Sequence, residues 1–264
     1  MRDELGDRMK KNYENRTRIL LPRRTYTIIR VDGKAFHTYT RGCERPFDIG
    51  LMADMDETAC YLCKNIQGAK FGYVQSDEIS ILMTDFDKLD TDAWFDGNIQ
   101  KIVSVAASMA TAKFNHLRLR RKFDTTIASV GVIMDMWKLA EFDARTFTIP
   151  ADYEVENYFI WRQNDCVRNS ISSVAQSHFS SKELNSKNMS EQQDMIHAKG
   201  DNWNDYDAKV KRGRFIFKEA IELDTEFIDV TLKQERYIRN RWVSGECPTF
   251  TQDKEFLMER VPKL

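Results

Sequence analysis

The pattern of apolar residues between positions 24 and 136 restricts the chain to a small set of folds. β-Branched and aromatic residues dominate 24–36, a helical pattern follows, and two strand-like runs occupy 69–75 and 78–83. A second helical pattern and the strand-like segment 125–136 complete the series. The predicted order is strand, helix, strand, strand, helix, strand, which is the ferredoxin-like βαββαβ arrangement of an α+β protein.

Past residue 140 the pattern changes. One more short strand is predicted to end near Ile149, and a long helix or two consecutive helices follow it. A short helix is predicted to open at Ser190. We therefore divide the chain into a βαββαβ region, 1–140, and a mainly helical C-terminal region, 141–264.

The charge balance limits the kinds of partner. With 40 Lys and Arg against 41 Asp and Glu, the net charge is −1, which argues against a protein wrapped by nucleic acid but permits a local basic face. The charged N-terminal residues lack the apolar core of a signal peptide, and no apolar run is long enough to span a membrane. We expect a cytoplasmic protein with no membrane partner.

Acidic residues stand at two predicted strand ends. Asp32 ends the first strand, and Asp77 and Glu78 lie at the tip of the hairpin formed by the second and third strands. In a βαββαβ sheet the first strand lies beside this hairpin, so Asp32 and Asp77 should be neighbours. Each acidic pair alone also suits an ordinary turn. Together they favour Mg²⁺, which binds carboxylate and phosphate oxygens, with Gly33 allowing close approach.

Four segments carry a family resemblance. RVDGKAFHTYTR, RPFD, YVQSDEIS and FIWRQNDC occur in this order and resemble the signature segments of the tRNA-His guanylyltransferase family, the 3′-to-5′ nucleotide-adding enzymes. The resemblance extends over about residues 22–218. It implies a polymerase-like palm, a C-terminal region that contacts tRNA, two Mg²⁺ ions, ATP for activation and GTP or another NTP as substrate. It also implies a homotetramer built as a dimer of dimers.

The resemblance assigns roles to individual positions. It implies catalytic roles for Asp32, Asp77 and Glu78, with metal ligands from Asp32, Asp77 and the backbone carbonyl of Gly33. The positions that match nucleotide-binding residues of the family are Gly33, Lys34, Ala35, Phe36, His37, Arg45, Asp48, Ser76 and Lys101. At position 45 the family more often has Lys, and the two cations bind phosphate differently.

The chain departs from the family pattern after FIWRQNDC. Enzymes that add G to tRNA-His continue His-Ile-Asn-Asn, whereas this chain continues VRNSI. That segment resembles the guanylyltransferase-like branch, whose members add nucleotides to the 5′ end of truncated tRNAs, templated by the opposite strand. The resemblance thus implies tRNA 5′-end repair after ATP-dependent adenylylation of the 5′ end. The alternative within the family is addition of G at position −1 of tRNA-His.

Three basic segments, 116–122, 209–215 and 236–242, suit either RNA contact or a solvated surface. Trp161 is expected in the core, and Arg162 has the spacing to pair with Asp165 on one helix. The candidate RNA-binding residues, some from these segments and some from the resemblance, are Arg118, Arg120, Arg121, Arg162, Arg168, Asn169, Lys211, Arg212 and Arg214.

Two other classes of protein share the predicted fold. A nucleotidyl cyclase could use a related palm, but the chain lacks the G-G-[DE]-E-F loop of diguanylate cyclases. A non-catalytic RNA-binding module could use a ferredoxin-like sheet with aromatic residues on its face. Acidic residues at two strand ends would repel RNA phosphates in such a module unless a metal ion were bound.

Overall fold

The structure is a computed structural model that describes residues 3–125, 138–223 and 237–264. The helices are α1 (Glu4–Asn12), α2 (Phe36–Tyr39), α3 (Ile49–Asn65), α4 (Ile99–Thr125), α5 (Asp152–His178), α6 (Ser181–Leu184), α7 (Met189–Ala198), α8 (Ala208–Arg212) and α9 (Glu255–Met258). The strands are β1 (Tyr26–Gly33), β2 (Ala69–Gln75), β3 (Glu78–Met83), β4 (Phe142–Ile149), β5 (Arg214–Leu223) and β6 (Tyr237–Glu246).

The six strands form one antiparallel sheet in the order β4-β1-β3-β2-β5-β6. Its first four strands have the order and directions of a ferredoxin-like sheet, which confirms the predicted fold class. The hairpin β2–β3 has the predicted bounds and closes through the pair Gln75 and Glu78. In the described ranges, no helix combines the length and the apolar character that a membrane crossing requires.

The fourth strand of this arrangement differs from the predicted one. The strand that pairs with β1 is β4, which was predicted only as an additional short strand ending near Ile149. The segment predicted instead, 125–136, lies outside the described residues apart from Thr125, which ends α4. The strands β5 and β6 were not predicted, and they extend the sheet beyond β2. The sheet therefore runs across the predicted boundary at residue 140.

Helices cover both faces of the sheet because alternate strand residues point to opposite sides. On one face, Ile29 and Ile81 pack in a core with residues of α3 and α4. On the other face, Ile28 and Phe71 pack against α5, where Phe159 is fully buried. The chain thus forms a three-layer structure whose strand ends remain open between α5 and the segment joining β1 to α3.

The aromatic contact beneath α5 gives a test of this packing. Phe71 lies 4.8 Å from Phe159 and 4.9 Å from Phe215, measured between ring centroids. We expect Phe71→Ala to lower the free energy of unfolding by about 3–5 kcal/mol, because a buried aromatic ring leaves a cavity. Leu89→Ala is the control, since Leu89 is 94% exposed. Equal urea midpoints for the two variants would contradict the assigned core.

Candidate active site

The strand pairing brings the two predicted metal carboxylates together. In β1, Val31 pairs with Ile79 of β3, so Asp32 stands beside the start of β3. Asp77 occupies the second position of the two-residue turn between β2 and β3. The turn is tight enough to place Ser76 at a positive φ of 46°. The adjacency predicted from topology is therefore present in the structure.

Gly33 is required by the close approach of its neighbours. A methyl group placed on its Cα would lie 2.3 Å from a ring carbon of Phe36 and 2.9 Å from Asp77 Oδ2. Any side chain at this position would therefore collide with the site. The absence of a side chain leaves the backbone of Gly33 beside the Asp77 carboxylate, where its carbonyl could serve as a further oxygen ligand.

A cavity of about 620 Å³ opens beside these residues. Its walls come from the end of β1, the segment joining β1 to α3, the β2–β3 turn and the middle of α5. Its polar lining includes Asp32, Arg45, Asp48, Ser76, Asp77 and Asn169. The volume is in the usual range for small-molecule and cofactor sites. The carboxylates thus lie in the wall of a space that suits a nucleotide.

The electrostatics of the carboxylate pair favour a cation. Burial raises the pKa of Asp77 to about 6, and the neighbouring charge of Asp32 acts in the same direction. A divalent cation would relieve this repulsion. In the described part of the chain, no group of three or more His, Cys, Asp or Glu could hold a metal ion. Two carboxylates and a carbonyl fit Mg²⁺, which commonly completes its shell with substrate phosphates and water.

Glu78 does not line the cavity and joins the hairpin to α5. Its two carboxylate oxygens accept hydrogen bonds from Arg162 Nε at 2.8 Å and Nη2 at 2.7 Å, and Ser80 Oγ donates to it at 3.1 Å. Arg162 Nη2 also lies 2.7 Å from Asp165 Oδ2, which confirms the pair predicted from spacing. This ion pair would allow Glu78 to hold the neighbouring Asp77 in position, and the catalytic role of Glu78 stays a prediction.

Most of the residues predicted to bind nucleotide lie together. The cavity is lined by Gly33, Ala35, Phe36, His37, Arg45, Asp48 and Ser76. Asp48 also caps α3, because its side chain accepts from the backbone N–H of Leu51 at 2.7 Å. Lys34 and Lys101 lie outside the lining: Lys34 is exposed and pairs with Glu141 at 2.5 Å, and Lys101 is exposed on α4.

Several predicted RNA-binding residues have carboxylate partners inside the protein. Arg214 is 2% exposed and bonds Asp56 at 2.7 Å. Arg118 and Arg121 both bond the buried Asp54, at 3.0 and 2.8 Å. The Arg121 side chain is nevertheless 41% exposed and Arg214 also lines the cavity, so contact of these arginines with RNA stays a prediction. A spacing of residue types cannot distinguish a buried ion pair from a solvent-facing one.

The remaining predicted RNA-binding residues are more accessible. The side chains of Arg120 and Arg168 are 57% and 59% exposed. Asn169 lines the cavity, Lys211 donates to the backbone oxygen of Asn204 at 2.5 Å, and Arg212 donates to Thr249 Oγ1 at 3.2 Å.

Two arginines near Asp32 were missed by the sequence analysis. Arg145 Nη2 lies 3.7 Å from Asp32 Oδ2, and Arg30 pairs with Arg145 across β1 and β4. Strand alternation could have found Arg30, since it precedes Asp32 by two residues and so shares its face. Arg145 could be identified only from the pairing of β1 with β4.

The buried pair of Glu78 and Arg162 gives a second test. We expect Arg162→Met to lower the free energy of unfolding by about 3–5 kcal/mol, because Glu78 would keep a buried and uncompensated charge. The double variant E78Q/R162M should recover much of this loss. Arg168→Met is the control, because exposed pairs contribute at most about 1 kcal/mol. Urea curves that are equal for the two single variants would refute the structural role of this pair.

Comparison with known proteins agrees with this geometry. A family model described as tRNAHis guanylyltransferase matches residues 6–150. A solved structure titled "Bacterial tRNA(HIS) Guanylyltransferase (Thg1)-Like Protein in complex with ATP" is 45% identical, with a TM-score of 0.80 over 99% of this chain and 100% of that one. The corresponding complex with GTP is 44% identical with a TM-score of 0.78, again over 99% and 100% of the two chains.

A curated relative adds a eukaryotic comparison. The tRNA(His) guanylyltransferase of Debaryomyces hansenii is 32% identical over 163 residues, which are 61% of this chain and 56% of that protein. The family match covers more than half of the chain, and its matched range contains both carboxylates and the cavity residues of β1, α3 and the hairpin. The chain belongs to the tRNA(His) guanylyltransferase family and is a nucleotidyltransferase of the guanylyltransferase-like type.

Proposed function

We propose that the chain is a template-dependent 3′-5′ nucleotidyltransferase that repairs the 5′ end of truncated tRNA. The observation that carries this proposal is the placement of Asp32 and Asp77 in the wall of the nucleotide-sized cavity. The related structures titled as ATP and GTP complexes support nucleotide binding at such a site. The proposed substrates are ATP for activation, GTP or another NTP for addition, and tRNA.

The reaction has two steps. The 5′-monophosphate of the tRNA first attacks the α-phosphorus of ATP, which forms an adenylylated 5′ end and releases pyrophosphate. The 3′-hydroxyl of the incoming NTP then attacks the 5′ phosphorus, and AMP leaves as the new phosphodiester bond forms. Little side-chain acid–base chemistry is needed, because phosphoryl transfer depends mainly on positioning and charge stabilisation.

Asp32, Asp77 and the Gly33 carbonyl would hold two Mg²⁺ ions with the help of substrate phosphates. When bound, Mg²⁺ lowers the pKa of an attacking hydroxyl and neutralises charge on the phosphates. Arg45 is exposed in the cavity wall and contributes positive charge toward a triphosphate. Ser76 provides a hydroxyl donor at the same rim.

The segment that departs from the tRNA-His pattern reaches this cavity. Asn169 and Ser170 of the VRNSI sequence both line it. A change of sequence there can therefore alter which nucleotide or RNA end is accepted, which favours 5′-end repair. Addition of G at position −1 of tRNA-His is the second candidate, supported by the name of the curated relative.

The proposed tRNA surface combines the C-terminal region with the exposed basic residues. Arg120 and Arg168 are its most accessible members, and each neutralised phosphate would add salt-dependent affinity. We also propose a homotetramer arranged as a dimer of dimers, from the family resemblance, and a cytoplasmic location, which is usual for a tRNA-modifying enzyme.

Template dependence is tested with a tRNA that lacks its 5′-terminal nucleotide. With Mg²⁺ and ATP present, we expect extension only by the NTP complementary to the opposing base. Intact tRNA-His is the comparison substrate. Addition of G to intact tRNA-His regardless of the opposing base would instead assign the chain to guanylyltransferase activity.

The catalytic pair is tested by Asp77→Asn. This change keeps the size of the side chain but removes a charge that the metal site needs, so nucleotide addition should be abolished. The urea unfolding curve should remain cooperative. Asp92→Asn is the matched control, because the Asp92 side chain is 89% exposed and is not part of the cavity lining. Normal addition by the Asp77 variant would refute the metal assignment.

A further inference from the structure

Trp161 is exposed where the sequence predicted a core residue. It is 53% exposed and lies on α5. The Arg162 guanidinium carbon is 4.3 Å from the indole centroid, and the Tyr158 ring contacts the indole at 5.9 Å in an edge-on arrangement. The indole is thus held in place from the protein side while half of its surface remains open to solvent. Such a fixed aromatic surface suits stacking against a nucleobase.

The helix places this indole toward the β1–β4 side of the sheet, near the carboxylates. Tyr158 contacts the ring of Phe147 on β4 at 5.6 Å. Trp161 lies slightly less than one helical turn after Tyr158 along α5. It is next to Arg162, which binds Glu78. The turn residue Asp77 immediately precedes Glu78. The indole therefore lies close to the end of the sheet that carries Asp32 and Asp77.

Two arginines line the same face of the sheet. Arg30 and Arg145 are directly opposite each other on β1 and β4, two pairs before Asp32 and Asp143. Arg145 has carboxylate neighbours, Asp143 at 3.2 Å and Asp32 at 3.7 Å.

The Nε of Arg30 is buried without a hydrogen-bond partner, and within the described ranges no ion pair involves Arg30. The two carboxylates partly offset the charge of Arg145, whereas an unsatisfied buried donor on Arg30 is unfavourable, and an anion bound beside it would satisfy that donor.

We propose that Trp161, Arg30 and Arg145 form a terminal-nucleotide site for the 5′ end of the RNA. The terminal base stacks on the indole, and the 5′-phosphate lies between the two guanidinium groups. This inference rests on the proposed function, since it names where that reaction holds its RNA end. The three residues lie outside the cavity lining, while Asp32 belongs to the lining and contacts Arg145. The carboxylates thus stand between a space for the NTP and a surface for the RNA end.

The test uses an RNA hairpin with a recessed 5′ end and 2-aminopurine as its terminal base. With Mg²⁺ but no ATP, binding to the wild-type chain should quench the 2-aminopurine fluorescence. Trp161→Leu should abolish the quenching at saturating RNA and weaken RNA binding by on the order of tenfold, the usual effect of losing one stacked base. Trp161→Phe keeps an aromatic face and should retain most of the signal. ATP affinity should be unchanged in both variants.

The phosphate half is tested by Arg30→Met. The wild-type chain should bind 5′-phosphorylated hairpin more tightly than the 5′-hydroxyl form, and the variant should lose this preference. For Trp161→Leu the matched control is Tyr153→Leu, because Tyr153 is a 61% exposed aromatic residue on α5, the helix that carries Trp161. It should leave quenching and affinity unchanged.

Each outcome has a defined meaning. Undiminished quenching in Trp161→Leu, or equal losses of ATP and RNA affinity, would overturn the site. A change of sedimentation coefficient in Trp161→Leu would instead mark the indole as an interface between copies and would also overturn it. A wild-type chain that quenches 2-aminopurine but adds no nucleotide would reject the proposed function and support the site.

Discussion

The buried ion pair between Glu78 and Arg162 connects the parts of the molecule on which the site depends. Glu78 is the first residue of β3, directly after the turn that carries Asp77, and Arg162 lies in the middle of α5. Both side chains are less than a tenth exposed, so the two charges are retained only because each satisfies the other. Through this pair, the position of Asp77 is tied to the helix that supplies Asn169 to the cavity and Trp161 to the outer surface.

The sheet supplies the second constraint. Antiparallel pairing of β1 with β3 brings Asp32 beside the hairpin turn, and Gly33 lets the Asp77 carboxylate approach its backbone. Burial raises the pKa of Asp77, and repulsion from the nearby Asp32 carboxylate adds to this effect. A site of this kind is electrostatically incomplete without a cation, which is how phosphate-transferring enzymes bring an anionic substrate to acidic residues.

The central sheet could be predicted because its strands carry a clear signal. Each of β1, β2 and β3 is a short run of buried β-branched and aromatic residues, and the two-residue turn fixes the hairpin register. The strand β5 lacked that signal. Its residues 214–216 pair with β2, but beyond them Lys218, Glu219 and Ala220 are exposed in the pairing with β6. A ribbon without a buried face carries no burial pattern in its sequence.

The residues of the site could be predicted where the strand order or a sequence motif placed them. Asp32 and Asp77 followed from strand order alone. The partners of Arg162 and Arg214 could not be predicted in this way. Glu78 and Asp56 are far from these arginines in sequence, and many other carboxylates were equally plausible partners. The exposure of Trp161 was missed for a similar reason. An aromatic residue on a long helix is normally buried, and only the packing of Tyr158 and Arg162 beneath it shows otherwise.

Asp32 and Asp77 are proposed to bind metal ions together with nucleotide phosphates. The most direct measurement is the affinity for ATP by calorimetry, with and without Mg²⁺, in the wild-type chain and in the double variant D32N/D77N. We expect Mg²⁺ to strengthen ATP binding to the wild-type chain and the double variant to lose this gain. A gain of equal size in both proteins would show that the metal ions enter with the nucleotide alone, and would contradict the claim.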